Sequence, residues 1–489
     1  MRLSVSLLSR TGAIMLGCLF VAAGAPDPGH QILGLETGRS LGKGALATLL
    51  ASPDEAVAQR AALAVGRAAD PAGTPLLVPY LHDSRAGVRA MSAYGLGLLA
   101  TGAAAKQLTA LVRDRSGAVR VAALDAVGRY EAAARFDPDA EAKAVRAVAW
   151  ALRDRNPLVR GRAAITMNFF ADGTQGEPAV EALTSALQSE RVEGVRERIV
   201  WTMFRRFAIR VRREVLRGAL RDPDEIVRVE AVRAYGRLKN EDAIGDLRPL
   251  LRDRSWRVQE QTSESILALE GKPTSTAWTA IPSFIHVPSP QPDPLSSQAP
   301  LPRLSGKLAA PTSDRADLGP PLVLDRAVDM LAPAHGPHPR LRIVTTKGDI
   351  YVVLYPEWAP MTVENFLNMM NAGFLDNNQW FRIVPDFVVQ TGEQDPVNAP
   401  GPGYTVGAEE NPLEQNSYVI SMGLNYDDKT NQPIRDSAGS EYYITLSPQY
   451  HLNSAFTVFG AMSGGFDVLG RLVQSDRVVR VERIGDATL

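Results

Sequence analysis

The sequence predicts a multidomain protein: an all-α solenoid first, then a proline-rich linker, then a closed β-barrel with two helices. Three observations predict it. A Val-Arg pair returns at near-regular intervals between residues 45 and 270. Residues 273–339 hold 14 of the 34 prolines. From Arg340 the apolar pattern changes from helical spacing to strand-like alternation. At 489 residues the chain exceeds one ordinary core, so more than one domain is expected.

Charge divides the same way. Residues 31–272 carry 37 Lys+Arg against 30 Asp+Glu, a net of +7, and residues 337–489 carry 10 against 18, a net of −8. Opposite signs fit separate units and speak against a dedicated nucleic-acid binder.

The N-terminus, MRLSVSLLSRTGAIMLGCLFVAAGAPDP, has Arg2 and Arg10, an apolar run from Ala13 to Ala23, and the small residues Ala23-Gly24-Ala25. This is the layout of a signal peptide over residues 1–25, too short to span a bilayer permanently. It predicts an exported chain, periplasmic or extracellular. The single cysteine, Cys18, lies inside it. A lipoprotein anchored through Cys18 is the alternative, and the one route to a membrane. Ordinary cleavage leaves no thiol, which excludes disulfides, thiolate metal sites and cysteine catalysis.

In residues 31–272, Val88-Arg89, Val119-Arg120, Val159-Arg160, Val195-Arg196 and Val227-Arg228 mark a repeat that Val57 and Val258 extend. Successive spacings are 31, 31, 40, 36, 32 and 31 residues, a period near 31 with two insertions. Asp83, Asp114, Asp154, Asp222 and Asp253 each stand five positions before the Val of their unit. Each unit reads as helix, tight turn, helix, and one such pair cannot bury its apolar faces without neighbours. The pattern resembles short HEAT-type repeats, which implies an extended surface for an unknown protein partner. Asp is expected to cap the second helix while Arg reaches a neighbouring turn. WTMFRRFAIRVRREVLRG departs from the pattern, with six arginines from Arg205 to Arg217. It reads as a solvated helix face, or as a docking patch for an acidic partner or anionic lipid.

The linker, residues 273–339, should be extended and semi-rigid. Leu322 to Ala332 is apolar enough to pack on a neighbour. His335 and His338 are expected to be exposed there, without the further ligands that a metal site needs.

In residues 340–489, LRIVTTKGDIYVVLYPEWAP reads as a hairpin turning at Lys347-Gly348, and MTVENFLNMMNAGF as an amphipathic helix closed by Gly373. SYVISMG, SEYYITLS, FTVFGAM and VVRVERI read as strands, and FDVLGRLVQ as a second helix. Within QWFRIVPDFVVQTGEQDP, the permanent cation Arg382 sits among residues suited to burial. That run, with VTTKGDIYVVLYPEWAPMTVENFLNMMNAGF before it and DSAGSEYYITLS and HLNSAFTVFG after it, resembles the cyclophilin-type peptidyl-prolyl isomerases.

The resemblance implies isomerisation of X–Pro bonds in proline-containing polypeptides. It implies Arg382 as the catalytic donor, Gln390 as the residue orienting substrate and arginine, and Phe387, Val388, Tyr443 and Leu452 as the proline pocket. Gly423, Glu441, His451 and Phe456 fall at groove positions. Val388 stands for methionine, Tyr443 for phenylalanine, Glu441 for glutamine, His451 for tryptophan, and Phe381 and Phe456 for histidines. Leu424 stands for asparagine, and Thr391 and Glu393 alter the motif that follows Gln390. No bond breaks in this reaction, so no cofactor or metal is expected. The alternative is a non-catalytic scaffold whose barrel only binds proline-containing peptides.

Overall fold

The computed structural model describes residues 27–238, 241–272, 338–384, 386–392, 401–427, 429–430 and 432–487. Residues 1–25, the linker up to residue 337 with residues 322–332 and His335, and Glu393 lie outside the described residues.

The N-terminal half is a stack of helix pairs. The second helix of successive repeats is α1 (Glu55–Arg67), α2 (Ala86–Leu99), α3 (Gly117–Ala132), α4 (Pro157–Met167), α5 (Glu193–Thr202), α6 (Glu225–Gly236) and α7 (Trp256–Leu269). Each packs on the next, and one apolar core runs from Ile32 to Leu269. Alanines at helical spacing make this close packing possible: Ala61, Ala62, Ala93, Ala123, Ala126, Ala163 and Ala164 are wholly buried.

The Val-Arg arginine ties one repeat to the next. Arg89 grips both Asp114 carboxylate oxygens at 2.9 and 3.0 Å and donates to the Asp83 carbonyl of its own turn at 2.8 Å. Arg228 repeats this with Asp253 and the Asp222 carbonyl. In the fifth unit Glu190 takes the place of the aspartate and receives Arg160 of the fourth.

The recurrent Asp does not cap its helix. Asp114, Asp154, Asp222 and Asp253 accept the backbone N–H two residues on, which braces the turn, while Asn156 and Asp224 cap α4 and α6. The aspartate sits two residues too early for the cap, and its carboxylate is already engaged by the neighbour's arginine.

The C-terminal half is an eight-stranded antiparallel sheet in the order β3-β4-β6-β5-β7-β2-β1-β8. Its strands are β1 (His338–Thr345), β2 (Gly348–Leu354), β3 (Arg382–Val384), β4 (Val388–Thr391), β5 (Val419–Met422), β6 (Tyr442–Thr445), β7 (Val458–Gly464) and β8 (Val478–Ala487). The two ends of the sheet meet. Gln379 bridges to Arg477, and the Trp380 N–H donates to the Asp476 carbonyl at 2.9 Å.

Helix α8 (Pro360–Asn371) buries Val363, Phe366 and Leu367 and ends at Gly373, whose φ of +69° suits the turn. Helix α9 covers only Phe466–Leu469 and stops at Gly470, shorter than FDVLGRLVQ suggested. His338 is not exposed linker. It opens β1, is buried, and bonds Glu357 through Nε2 at 3.0 Å.

The barrel sits against the second-helix face of the solenoid rather than apart from it. Wholly buried Arg67 of α1 donates to the carbonyls of Glu410 and Trp358 at 2.9 and 2.8 Å. The Tyr94 hydroxyl of α2 lies 3.0 Å from that of Ser454. Arg162 of α4 and Arg198 of α5 converge on Glu414 at 3.0 and 2.5 Å. Burial alone raises the Glu414 carboxyl, but those two guanidiniums hold it below the usual range. Arg233 of α6 binds Asp386, with Arg257 of α7 4.0 Å away. The basic solenoid and the acidic barrel thus meet largely through arginine on one side and carboxylate or carbonyl on the other.

Candidate active site

Strand register assembles the polar centre. Arg382 pairs with Gln390 across β3 and β4, Gln390 with Tyr443 across β4 and β6, and Tyr443 with Ser421 across β6 and β5. Residues directly opposite in neighbouring strands share a face, so Arg382, Gln390 and Tyr443 form one row. Arg382 Nη1 donates to Gln390 Oε1 at 3.1 Å, and Gln390 Nε2 donates to Glu441 Oε2 at 3.1 Å. The amide is therefore fixed at both ends.

Arg382 is half-buried, and its guanidinium stands 5.4 Å from the Phe387 ring centre. Burial pulls its pKa down while Tyr426 and Glu441 pull it back up. Among the described residues that one bond to Gln390 is its only hydrogen bond, which leaves donors of the fork available.

Gly423 fits because anything larger would collide here. A Cβ there would stand 2.8 Å from both Glu441 Cβ and Oε2, and 3.4 Å from Gln390 Nε2. Its N–H donates to the Glu441 carbonyl at 2.8 Å.

The apolar wall lies beside this row. Tyr443 and Phe456 meet edge-on at 5.9 Å. Phe387 stacks on His451 at 6.0 Å with 17° between planes. Val388 is 1 % exposed and shares the barrel core with Phe387 and Tyr443. Leu452 is partly exposed in the Tyr450–Leu452 turn and packs on the barrel core. Burial pushes the Tyr443 hydroxyl well above its ordinary value, so it stays neutral. Direct contact or strand pairing thus joins Arg382, Phe387, Gln390, Gly423, Glu441, Tyr443, His451 and Phe456, and Val388 and Leu452 pack in the barrel core beside them.

Sequence reasoning missed what stands behind it. Trp201, at the end of α5, stacks on His451 at 6.4 Å and meets Tyr450 edge-on at 5.3 Å. Ile165, Trp201 and Tyr450 form a small apolar cluster that spans the two halves. The Tyr450 hydroxyl donates to Glu197 at 3.1 Å, and burial raises the Glu197 carboxyl to about 8. Asp386, next to Phe387, has a φ of +53° and is held by Arg233. The one sequence signal for these contacts was the opposite net charge of the two halves.

The arginine-rich stretch is mostly spent inside the molecule. Arg206 binds Asp172, Arg210 the Ala171 carbonyl, and Arg213 and Arg217 share Asp246. A π-helical turn, Met203–Phe207, follows α5.

Comparison with known proteins agrees with this site. The model of the family Cyclophilin type peptidyl-prolyl cis-trans isomerase/CLD matches residues 340–486. HEAT repeats match residues 43–128, 105–203 and 213–278. Peptidyl-prolyl cis-trans isomerase B of Bacillus subtilis is 37 % identical over 133 residues, covering 26 % of this chain and 87 % of that protein. CYP18-2 of Arabidopsis thaliana, a peptidyl-prolyl cis-trans isomerase, is 33 % identical over 153 residues, covering 31 % and 92 %. Peptidyl-prolyl isomerase CWC27 of Mycosarcoma maydis is 32 % identical over 129 residues, covering 25 % of this chain and 24 % of that protein.

The chain belongs to the cyclophilin-type peptidyl-prolyl cis-trans isomerases and carries HEAT repeats ahead of the isomerase domain. These relatives also correct an expectation. With peptidyl-prolyl isomerase CWC27 among them, the exported, periplasmic or extracellular placement and its Cys18-anchored alternative are not upheld. Among the described residues no helix is long and apolar enough to cross a membrane.

Proposed function

We propose that Arg382 is the group that turns over the X–Pro bond, in a groove that the solenoid borders. Rotation about this bond crosses ~18–20 kcal/mol because twisting destroys amide resonance. In the twisted form the prolyl nitrogen turns pyramidal and becomes able to accept a hydrogen bond. The proline ring rests on Phe387, Val388, Tyr443, Leu452 and Phe456, and Gln390, Gly423 and Glu441 steady the flanking backbone. Free donors of the Arg382 fork then meet the nitrogen. They bind the twisted form better than either planar form, which is the condition for catalysis.

The observation that carries this reading is the row Arg382–Gln390–Glu441, which fixes a charged fork beside an apolar wall while leaving donors unused. The solenoid's second-helix face is taken up by the barrel, so a further protein partner would use the opposite face.

NMR exchange on an Ala-Pro peptide tests the reading. Fast exchange with the full chain, lost in Arg382→Ala, is the expected result. Binding without exchange faster than buffer would turn the reading into a proline-peptide scaffold, and a fast Arg382→Ala would remove the mechanism.

A further inference from the structure

The turns inside the solenoid's units follow one another along one edge, where each first helix ends. Their acids are spent inward. Asp114, Asp154, Glu190, Asp222 and Asp253 each receive the Val-Arg arginine of the preceding unit. The arginines beside those acids stay in solvent. Units three, four and seven carry an exposed pair, one on each side of the aspartate: Arg113 and Arg115, Arg153 and Arg155, Arg252 and Arg254. Units five and six carry one each, Arg191 and Arg221.

Local contacts steady some of these side chains without neutralising them. Arg115 and Arg254 donate to the Ser84 and Pro223 carbonyls of the preceding turn at 3.3 and 2.5 Å, and Arg153 to the Ser185 hydroxyl at 3.4 Å. The Arg113 guanidinium stands 5.2 Å from the Trp150 ring centre. Among the described residues none of these arginines has a carboxylate partner, and none bonds to the barrel. One exposed arginine means little. Here the cation recurs at every unit from the third to the seventh, in steps of about 10 Å, the width of one helix.

Apolar side chains stand among the cations. Leu158 is 72 % exposed, and Trp150, Val192 and Leu251 are 41–44 % exposed. Each lies within three residues of one of the arginines.

We propose that this edge docks an extended, acidic segment of a partner protein, with carboxylates about three residues apart and apolar side chains between them. At ~3.3 Å per extended residue, three residues cover the step from one unit to the next, and about 13 cover all five units. Arginine and tryptophan side by side suit such a contact. A nucleic acid presents a charge every few ångströms and nothing apolar along its backbone, and the acidic barrel on the same solenoid repels a continuous polyanion. Glu193 and Glu225 are exposed at the starts of α5 and α6, so the adjacent pairs of units three and four are the strongest points.

The test uses the full chain and fluorescein-labelled 13-residue peptides, read by anisotropy. One has Glu at every third position with Leu and Ser between. A second has the same composition with its Glu residues contiguous, and a third has Lys in place of Glu. A 13-nucleotide oligothymidylate probes nucleic acid. At low salt the spaced peptide should bind roughly fivefold tighter than the contiguous one and far tighter than the Lys peptide, less so as salt rises. Arg153→Glu with Arg155→Glu should weaken it roughly tenfold, and Arg191→Glu about twofold. The first pair should also bind the Lys peptide better than the wild type does, which misfolding cannot do. Lys106→Glu with Lys143→Glu makes the same charge change on exposed lysines of the first helices, away from the turns, and should leave the affinity unchanged.

Equal binding of the spaced and contiguous peptides, or an equal loss in the lysine pair, overturns the proposal. So does oligothymidylate that binds tighter than the spaced peptide and is lost in the arginine pair, which would give the edge to nucleic acid. Binding is read without isomerisation, so the result is independent of Arg382.

Discussion

In the solenoid, Arg89, Arg196 and Arg228 each give a two-pronged fork to the aspartate of the next repeat and a third donor to a carbonyl of their own unit. In the barrel, Arg382 bonds one amide oxygen and holds donors in reserve. The residue is the same and the surroundings decide its use. A guanidinium matched by carboxylate and carbonyls is a strut. One held by a neutral amide, over an aromatic ring, keeps its direction without being satisfied, which is the state a transition-state donor needs.

The largest effect that would break this comparison is on the strut side. Arg120 and Asp154 are a buried pair, with side chains 7 % and 3 % exposed. Arg120→Ala strands the carboxylate and should cost about 3–5 kcal/mol in chemical denaturation. A loss under ~1 kcal/mol would make the ladder incidental.

Next comes Arg382→Ala, expected to lower kcat/KM by about 10²–10³-fold with the melting temperature nearly unchanged. Arg382→Lys should recover little, because it keeps the charge and loses the fork. Arg233→Ala, which releases Asp386 beside Phe387, should cost about 2 kcal/mol, since Arg257 remains near. Combined with Asp386→Ala the losses should be less than additive, and full additivity would show the pair to be uncoupled.

The pH dependence follows from His451. Burial and then Arg205 lower its pKa from 6.5 to about 3. Unfolding between those values takes up a proton, so this group's share of stability is present above pH 6.5 and falls as pH drops toward 3. His451→Phe should flatten that acid limb of the melting curve, and an unchanged limb would assign it elsewhere. Smallest of all, Glu441→Gln keeps an acceptor for Gln390 and should change kcat/KM by no more than about threefold. A larger change would give the Glu441 charge a role of its own.

The sequence carried more of the site than of its setting. Arg382 and Gln390 share one hairpin, so their alternation sets their register, and the period near 31 laid out the helix pairs. His338 read as linker because a strand that begins at a proline-rich edge has too few residues to show a pattern. Contacts such as Arg67 with Glu410 or Arg162 with Glu414 were illegible for another reason. The partners lie hundreds of positions apart, and each looks like ordinary surface until the other covers it. Trp201 was hidden by the arginines beside it, although a large aromatic at the end of a helix could have drawn notice.

The docking fixes something that free solenoids leave open, namely copy number. An unbound array can gain or lose a unit by unequal crossing-over and merely grow longer or shorter. Here α1, α2, the pair α4 and α5, and the pair α6 and α7 hold four separate points on the barrel. A spare unit spliced between α2 and α4 would carry every later anchor about 10 Å past its mate, the width of one helix. Drift in length should therefore be rare in this lineage, and descendants with an extra unit should have lost the embrace altogether.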